Sequence, residues 1–195
     1  MKKIYITLTV VLAALTLSSC EDFLTKVPET NPSPGSFFKS EAELALWANQ
    51  FYTDILPTPE DVVEVYADDH MGSGLNAIQK GTRTASSKSW TADTFKPLRN
   101  INYMLENLGN CSDADVRAVY EGTCYFFRAM FYYQMVQKYG DMPWYGAVIA
   151  SDDNAGMNKP RESRGYVMMK VLEDCDKAWE LLPEKWASDP LFHVS

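Results

Sequence analysis

Trp90, with Arg83 seven residues before it and Asp68 and Asn76 further upstream, brings together the residue types that a sugar site uses. An indole face stacks on the C–H face of a pyranose, while guanidinium, carboxylate and amide groups pair with adjacent hydroxyls. The stretch 57–96 that holds them carries Gly72, Gly74, Gly81 and a Thr/Ser-rich tract from Thr82 to Ser89, and reads mostly as loop, with room for a short helix near 60–68. Long loops on a rigid frame are where binding residues concentrate. A Trp90 packed in the core and an Arg83 in solvent fit the same residues equally well. Covalent chemistry has fewer candidates. There is no HExxH, no phosphate-binding glycine loop and no GxSxG, and the only histidines are His70 and His193. His70 follows Asp68 and Asp69, but no D-x-D-x-D-G frame accompanies them, so a solvated acidic loop is the better reading than a metal site. No pair of carboxylates is placed for glycoside hydrolysis. The expectation is a binding protein with no catalytic residues, no metal and no cofactor.

Cys20 invites a different chemistry. Lys2 and Lys3 precede an apolar run from Ile4 to Leu17, about 14 residues long and too short for a bilayer core that needs roughly 20. It fits a signal-peptide h-region, and Leu17-Ser18-Ser19-Cys20 matches a bacterial lipobox. Residues 1–19 are therefore expected to be a cleaved lipoprotein signal, Cys20 the acylated residue, and 20–39 a tether carrying Pro28, Pro32 and Pro34. Several acyl chains, at about 0.8 kcal/mol per buried methylene, hold a protein on a membrane.

The formal charge is −8 over 195 residues, and loss of Lys2 and Lys3 with the leader makes the remainder more acidic. Such a surface argues against nucleic acid and anionic lipid as partners. Cys111, Cys124 and Cys175 cannot all pair and show no CxxC spacing. Cys124 and Cys175 fall inside helical patterns and are expected to be small buried apolar residues.

The elements that must position these groups read as helices. Ser40-Glu41-Ala42-Glu43 is a capping box opening a helix with Leu44, Trp47, Ala48, Phe51 and Ile55, which stops before Pro57. A second helix begins near Lys96-Pro97, with Leu98, Ile101, Met104, Leu105 and Leu108 on one stripe and Gly109 at its end. Ser112-Asp113-Ala114-Asp115 is a box-like cap before a third helix of about 26 residues, roughly 39 Å long. That helix carries Tyr120, Phe126, Phe127, Phe131, Tyr132 and Tyr133, so other helices must surround it, and Gly140 and Pro143 stop it. After a loop from Met142 to Arg161, Ser163 caps a last helix with Val167, Met168, Val171, Leu172, Cys175, Ala178, Trp179 and Leu182. Arg128 should pair or hydrogen-bond, and Asp141 should fix the turn after Gly140.

The segment from Phe127 to Pro143, F-R-A-x-x-Y-Y-x-x-V-x-x-Y-G-D-x-P, resembles a signature of the SusD/RagB family of nutrient-binding surface lipoproteins. Three further stretches resemble that family in the same order. They are Asp22, Leu24 and Pro28 as D-x-L-x-x-x-P, the helix from Phe95 to Leu108 with Asn102, and Lys159 to Pro183 with Asp174 and Ala178. Thr123 and Cys124 depart from the family's glutamate and alanine. The resemblance implies an all-α, mainly helical fold of tetratricopeptide-like helix pairs with long loops over 40–195. It implies a cell-surface protein, lipid-anchored in the outer membrane, that binds an oligosaccharide and delivers it to a SusC-like TonB-dependent transporter. The chain is shorter than such proteins, so a truncated or unusually short N-terminal portion is expected. The competing expectation is a helical interaction scaffold without ligand, or a non-functional truncated fragment.

Overall fold

A computed structural model of the chain describes residues 37–57, 74–75, 77, 80–84 and 90–184. The signal, the acylation position Cys20 and nearly all of the tether lie outside them, as do Asp68, Asn76 and the turn of helix suggested near 60–68. Among the described residues the fold is helical, with no strand and one isolated antiparallel bridge, Met142 to Glu162. No described helix is long and apolar enough to cross a membrane.

Helix α1 runs Glu41–Ile55, and its capping box forms as the sequence requires. The Glu43 amide donates to Ser40 Oγ at 3.4 Å, and Glu43 Oε2 accepts from the Ser40 amide at 3.4 Å and the Lys39 amide at 2.7 Å. Its buried face is Leu44, Ala48, Phe51 and Ile55. Just ahead of it Phe38 takes a positive φ of 67°, unusual for a side chain of that bulk. Its ring is fully buried, edge-on to Trp47 at 5.2 Å and Tyr103 at 5.8 Å, and this packing holds the backbone there.

A 3₁₀ turn, Ala92–Phe95, leads into α2, Lys96–Asn107, with Pro97 in the first turn where its missing N–H costs nothing. The helix passes into a second 3₁₀ turn, Leu108–Asn110, before Gly109 can end it. Helix α3, Ala114–Tyr139, is 26 residues long, as its pattern predicts. Its cap is Asp113 rather than the box at Ser112: Asp113 Oδ1 accepts from the amides of Asp115 at 3.0 Å and Val116 at 3.1 Å. At the far end Gly140 has φ 76° and ψ −118°, a region only glycine reaches cheaply, and its N–H closes on Val136 O at 2.8 Å. A short helical turn α4, Asn154–Met157, interrupts the following loop. It is capped by Asp153, whose Oδ1 accepts from the Gly156 amide at 2.9 Å. Helix α5, Arg164–Leu181, is capped by Ser163 as expected.

Helix α3 lies at the centre. Helix α5 packs along it most extensively, and α1 and α2 pack on other faces. The core is built from Phe51, Leu98, Ile101, Met104, Cys124, Phe127, Phe131, Tyr132, Val167 and Val171. Helices α3 and α5 approach so closely at Gly122 that an added Cβ would stand 3.0 Å from both Leu181 Cβ and Leu182 Cγ. The aromatic content of α3 is accounted for by neighbours on most sides, with Tyr133 left 45 % exposed.

The expectation for α5 needs correction. Val167, Val171 and Ala178 are buried, but Leu172 is 63 % and Trp179 84 % exposed, and Cys175 is exposed rather than buried. At about 100° per residue, Cys175, Trp179 and Leu172 lie about 40°, 80° and 100° round from Val171, on the flank of the Val171–Ala178 face that meets α3. Apolar residues at helical spacing identified the helix; they did not say which of two apolar stripes faces inward.

Candidate ligand-binding site

The surface around Trp90 is held in place by a buried charge some distance from it. Arg128, near the middle of α3, makes a two-pronged pair with Asp174 of α5: Nε to Oδ2 at 2.7 Å and Nη2 to Oδ1 at 2.8 Å. Burial works against the guanidinium's charge, but the hydrogen bonds and negative charge of Asp174 outweigh it, so Arg128 is held above its ordinary range. Its Nη1 donates to Asn102 Oδ1 of α2 at 3.1 Å and to Gly146 O at 3.2 Å. Asn102 then donates to Tyr145 O at 3.0 Å and Ala147 O at 3.2 Å. Three helices and one loop therefore meet at a single cation.

The loop after α3 is fastened from its other side as well. Tyr132 Oη accepts from the Tyr145 amide at 2.6 Å and donates to Pro143 O at 3.3 Å. The Trp144 ring stacks on Tyr132 with centroids 4.3 Å apart. The Val148 amide donates to Glu106 Oε1 at 2.7 Å, and Arg99 donates to Ile149 O at 3.0 Å. Burial pushes the Tyr132 hydroxyl well above the usual phenol range, in keeping with a fixed structural hydroxyl. With the loop immobilised, the Met142–Glu162 bridge, at 3.2 and 2.9 Å, clamps the return of the chain beside the end of α3. Asp141 Oδ1 accepts from the Arg164 amide at 2.8 Å and so ties the turn after Gly140 to the start of α5.

That clamp positions Arg161, the neighbour of Glu162, over Trp90, with its guanidinium carbon 4.4 Å from the indole centroid. Trp90 is half-buried, perpendicular to Tyr139 at 5.3 Å and to Phe95 at 6.0 Å. Tyr139, the last residue of α3, has Arg83 at 5.8 Å and Lys138 at 5.5 Å from its ring centroid. Arg83 also donates to Lys138 O at 2.7 Å, a helix-end carbonyl with no partner of its own in the helix. The result is a surface cluster of two rings, Trp90 and Tyr139, bordered by three exposed cations, Arg83, Lys138 and Arg161.

Of the residues singled out in the sequence, Arg83 and Trp90 meet at the Tyr139 ring, and Asp68 and Asn76 lie outside the described residues. Trp90 is neither a fully buried core residue nor a free platform. Arg83 is exposed, yet anchored to a backbone carbonyl. Sequence reasoning missed Arg161, which lies 71 positions from Trp90, and did not place Tyr139 at the site. Their only signal was the chain return between Gly140 and Ser163, which brings residue 161 back beside residue 139. Among the described residues no group of three His, Cys, Asp or Glu side chains gathers as a metal would require.

Comparison with known proteins agrees with this architecture. A family described as SusD-like, "Starch-binding associating with outer membrane", matches residues 22–195. SusD-like protein P2 of Formosa agariphila is 28 % identical over 208 residues, covering 94 % of this chain and 39 % of that protein. The crystal structure of a SusD-like protein from Bacteroides fragilis superposes with a TM-score of 0.68 at 26 % identity, covering 84 % of this chain and 34 % of the other. The chain thus spans well under half the length of each of these relatives. With a family match across nearly all of its residues and the same helical fold, this chain belongs to the SusD-like family.

Proposed function

We propose that this chain is part of a cell-surface lipoprotein that binds an oligosaccharide without transforming it and delivers it to a SusC-like TonB-dependent transporter. In this reading Cys20 carries the lipid, and the Trp90–Tyr139 cluster contacts the glycan. The observation that carries the reading is that cluster: two aromatic rings at the surface, held rigid by the Arg128 node and edged by planar hydrogen-bond donors. Membership in a family described as starch-binding and outer-membrane-associating supports the ligand class and the location. Affinity comes from contact with the two rings and from hydrogen bonds donated by the cations that border them.

The test is calorimetry of the protein against oligosaccharide panels, paired with Trp90→Ala. The variant should fold, because Trp90 is only half-buried, and should bind at least tenfold more weakly, a loss of about 1.4 kcal/mol. Equal binding by parent and variant would remove this cluster from the site. Palmitate labelling that persists in a Cys20→Ala variant would remove the anchor. A second reading, an interaction scaffold, is favoured by the outward face of α5 with Leu172 and Trp179 exposed. It predicts no glycan binding and a protein partner whose binding is lost in Trp179→Ser.

A further inference from the structure

We propose that the ligand recognised at the Trp90–Tyr139 cluster is an anionic glycan, one bearing a uronate carboxylate or a sulfate ester, whose negative group pairs with Arg161 in the positive field that Arg83 and Lys138 add. The inference rests on the reading of that cluster as the glycan-contact surface and adds the ligand's charge to it.

Three observations carry it. The chain is acidic, with a formal charge of −8, yet this patch gathers three cations around two rings. The described ion pairs, Arg128–Asp174, Lys159–Glu162 and Lys170–Glu173, involve none of the three. The carboxylates beside Arg161 and Lys138 in sequence are already engaged, Glu162 by Lys159 and Asp141 by the Arg164 amide. A cation left without a described counter-charge on an acidic protein is disposed toward an incoming anion.

The end of α3 explains part of the cluster. The C-terminal dipole and free carbonyls of a helix favour Lys138 in the last turn and Arg83 on the Lys138 carbonyl. They do not explain Arg161, which arrives from the other side of the loop and lies over the indole rather than at a carbonyl. The Arg161 guanidinium, exposed with its carbon 4.4 Å from the indole centroid, is the kind of group that meets a carboxylate or sulfate with two parallel hydrogen bonds. The balance of polar groups points the same way. A neutral sugar hydroxyl both donates and accepts, so sites for neutral sugars mix acceptors with donors. The charged side chains described at this cluster are donors only, which suits a group that only accepts.

The experiment is calorimetry of the protein with oligogalacturonate and its fully methyl-esterified form, and with a sulfated galactan oligosaccharide and its desulfated form, at low and high salt. The charged member of at least one pair should bind tenfold or more tightly than its neutral partner, and the gap should narrow as salt rises. The pair that shows the gap identifies the group as carboxylate or sulfate. Arg161→Gln should abolish the gap by weakening binding of the charged member at least tenfold more than binding of the neutral one. Lys177→Gln, an exposed cation on α5, should leave the gap intact. Equal affinity for charged and neutral members overturns the charge inference and leaves glycan binding standing. A gap that Lys177→Gln narrows as much as Arg161→Gln overturns it too, since the effect would then be diffuse charge. No binding to any of the four members overturns this inference, and no binding to the wider oligosaccharide panel as well overturns the glycan reading with it.

Discussion

Replacing Asp174 with alanine should cost this protein about 3–5 kcal/mol of folding stability, the range for removing one partner of a buried ion pair. The side chains of Arg128 and Asp174 are only 7 % and 3 % exposed, so solvent cannot take over the lost partner. Two short charge-assisted bonds disappear, each worth about 1.5–3 kcal/mol. Arg128 would keep only two neutral acceptors, Asn102 Oδ1 and Gly146 O, for a full buried charge. The same loss loosens the loop, because Arg128 and Asn102 between them hold the carbonyls of Tyr145, Gly146 and Ala147. Urea unfolding followed by Trp fluorescence reads the effect. With an m-value of about 2 kcal/mol per molar, the midpoint should fall by about 2 M. The double variant Arg128→Met with Asp174→Leu should lose less than Asp174→Ala alone, because no orphaned charge remains. A cost under about 1 kcal/mol for Asp174→Ala, or a double variant costing the sum of its two singles, would refute the reasoning.

Other consequences follow from the packing. Gly122→Ala should be mildly destabilising, since overpacking against Leu181 and Leu182 costs about 1–3 kcal/mol while the helix gains about 1 from losing glycine. Gly122→Val should be worse, and a thermal midpoint at or above the parent's would contradict the α3–α5 contact. Alkylation of the native protein followed by peptide mapping should modify Cys175 and spare Cys111 and Cys124. Partial burial, then Asp174 and Asp176, hold the Cys175 thiol above its usual range, so its labelling should accelerate only at alkaline pH. Partial burial, then the charge of Glu41, raises the Tyr120 hydroxyl from 10.0 to about 12. The stability this gives is complete below pH 10 and lost as pH rises towards 12, so Tyr120→Phe should flatten the parent's decline in that window. Trp179→Ser should change folding free energy by no more than about 0.5 kcal/mol, because 84 % of that residue is already in water. A larger loss would show that α5 has a neighbour on that face.

The sequence by itself determined the helices, for reasons that act over a few residues. Ser40 and Glu43 face each other across one turn, Pro97 can only start a helix, and Gly140 takes a positive φ that another side chain would resist. These are local events, so the signals are local, and the length of α3 followed from the pattern. The family signature was legible for the same reason, being concentrated in one helix end and its turn. What the sequence left open was which side of each helix meets which neighbour. Helix α5 carries two apolar stripes, and only its packing on α3 buries Val171 and leaves Trp179 in water. Arg128 could be seen to need a partner, but the choice of Asp174, 46 residues on, depends on how α3 and α5 align. The candidate site shows this most clearly. Trp90 and Arg83 are near one another in the chain, yet Tyr139 joins them and Arg161 covers the indole only because the bridge at Met142 and Glu162 turns the chain back. Helix formation is settled by neighbours in sequence, whereas a surface site is settled by long-range contacts that close only when the core does.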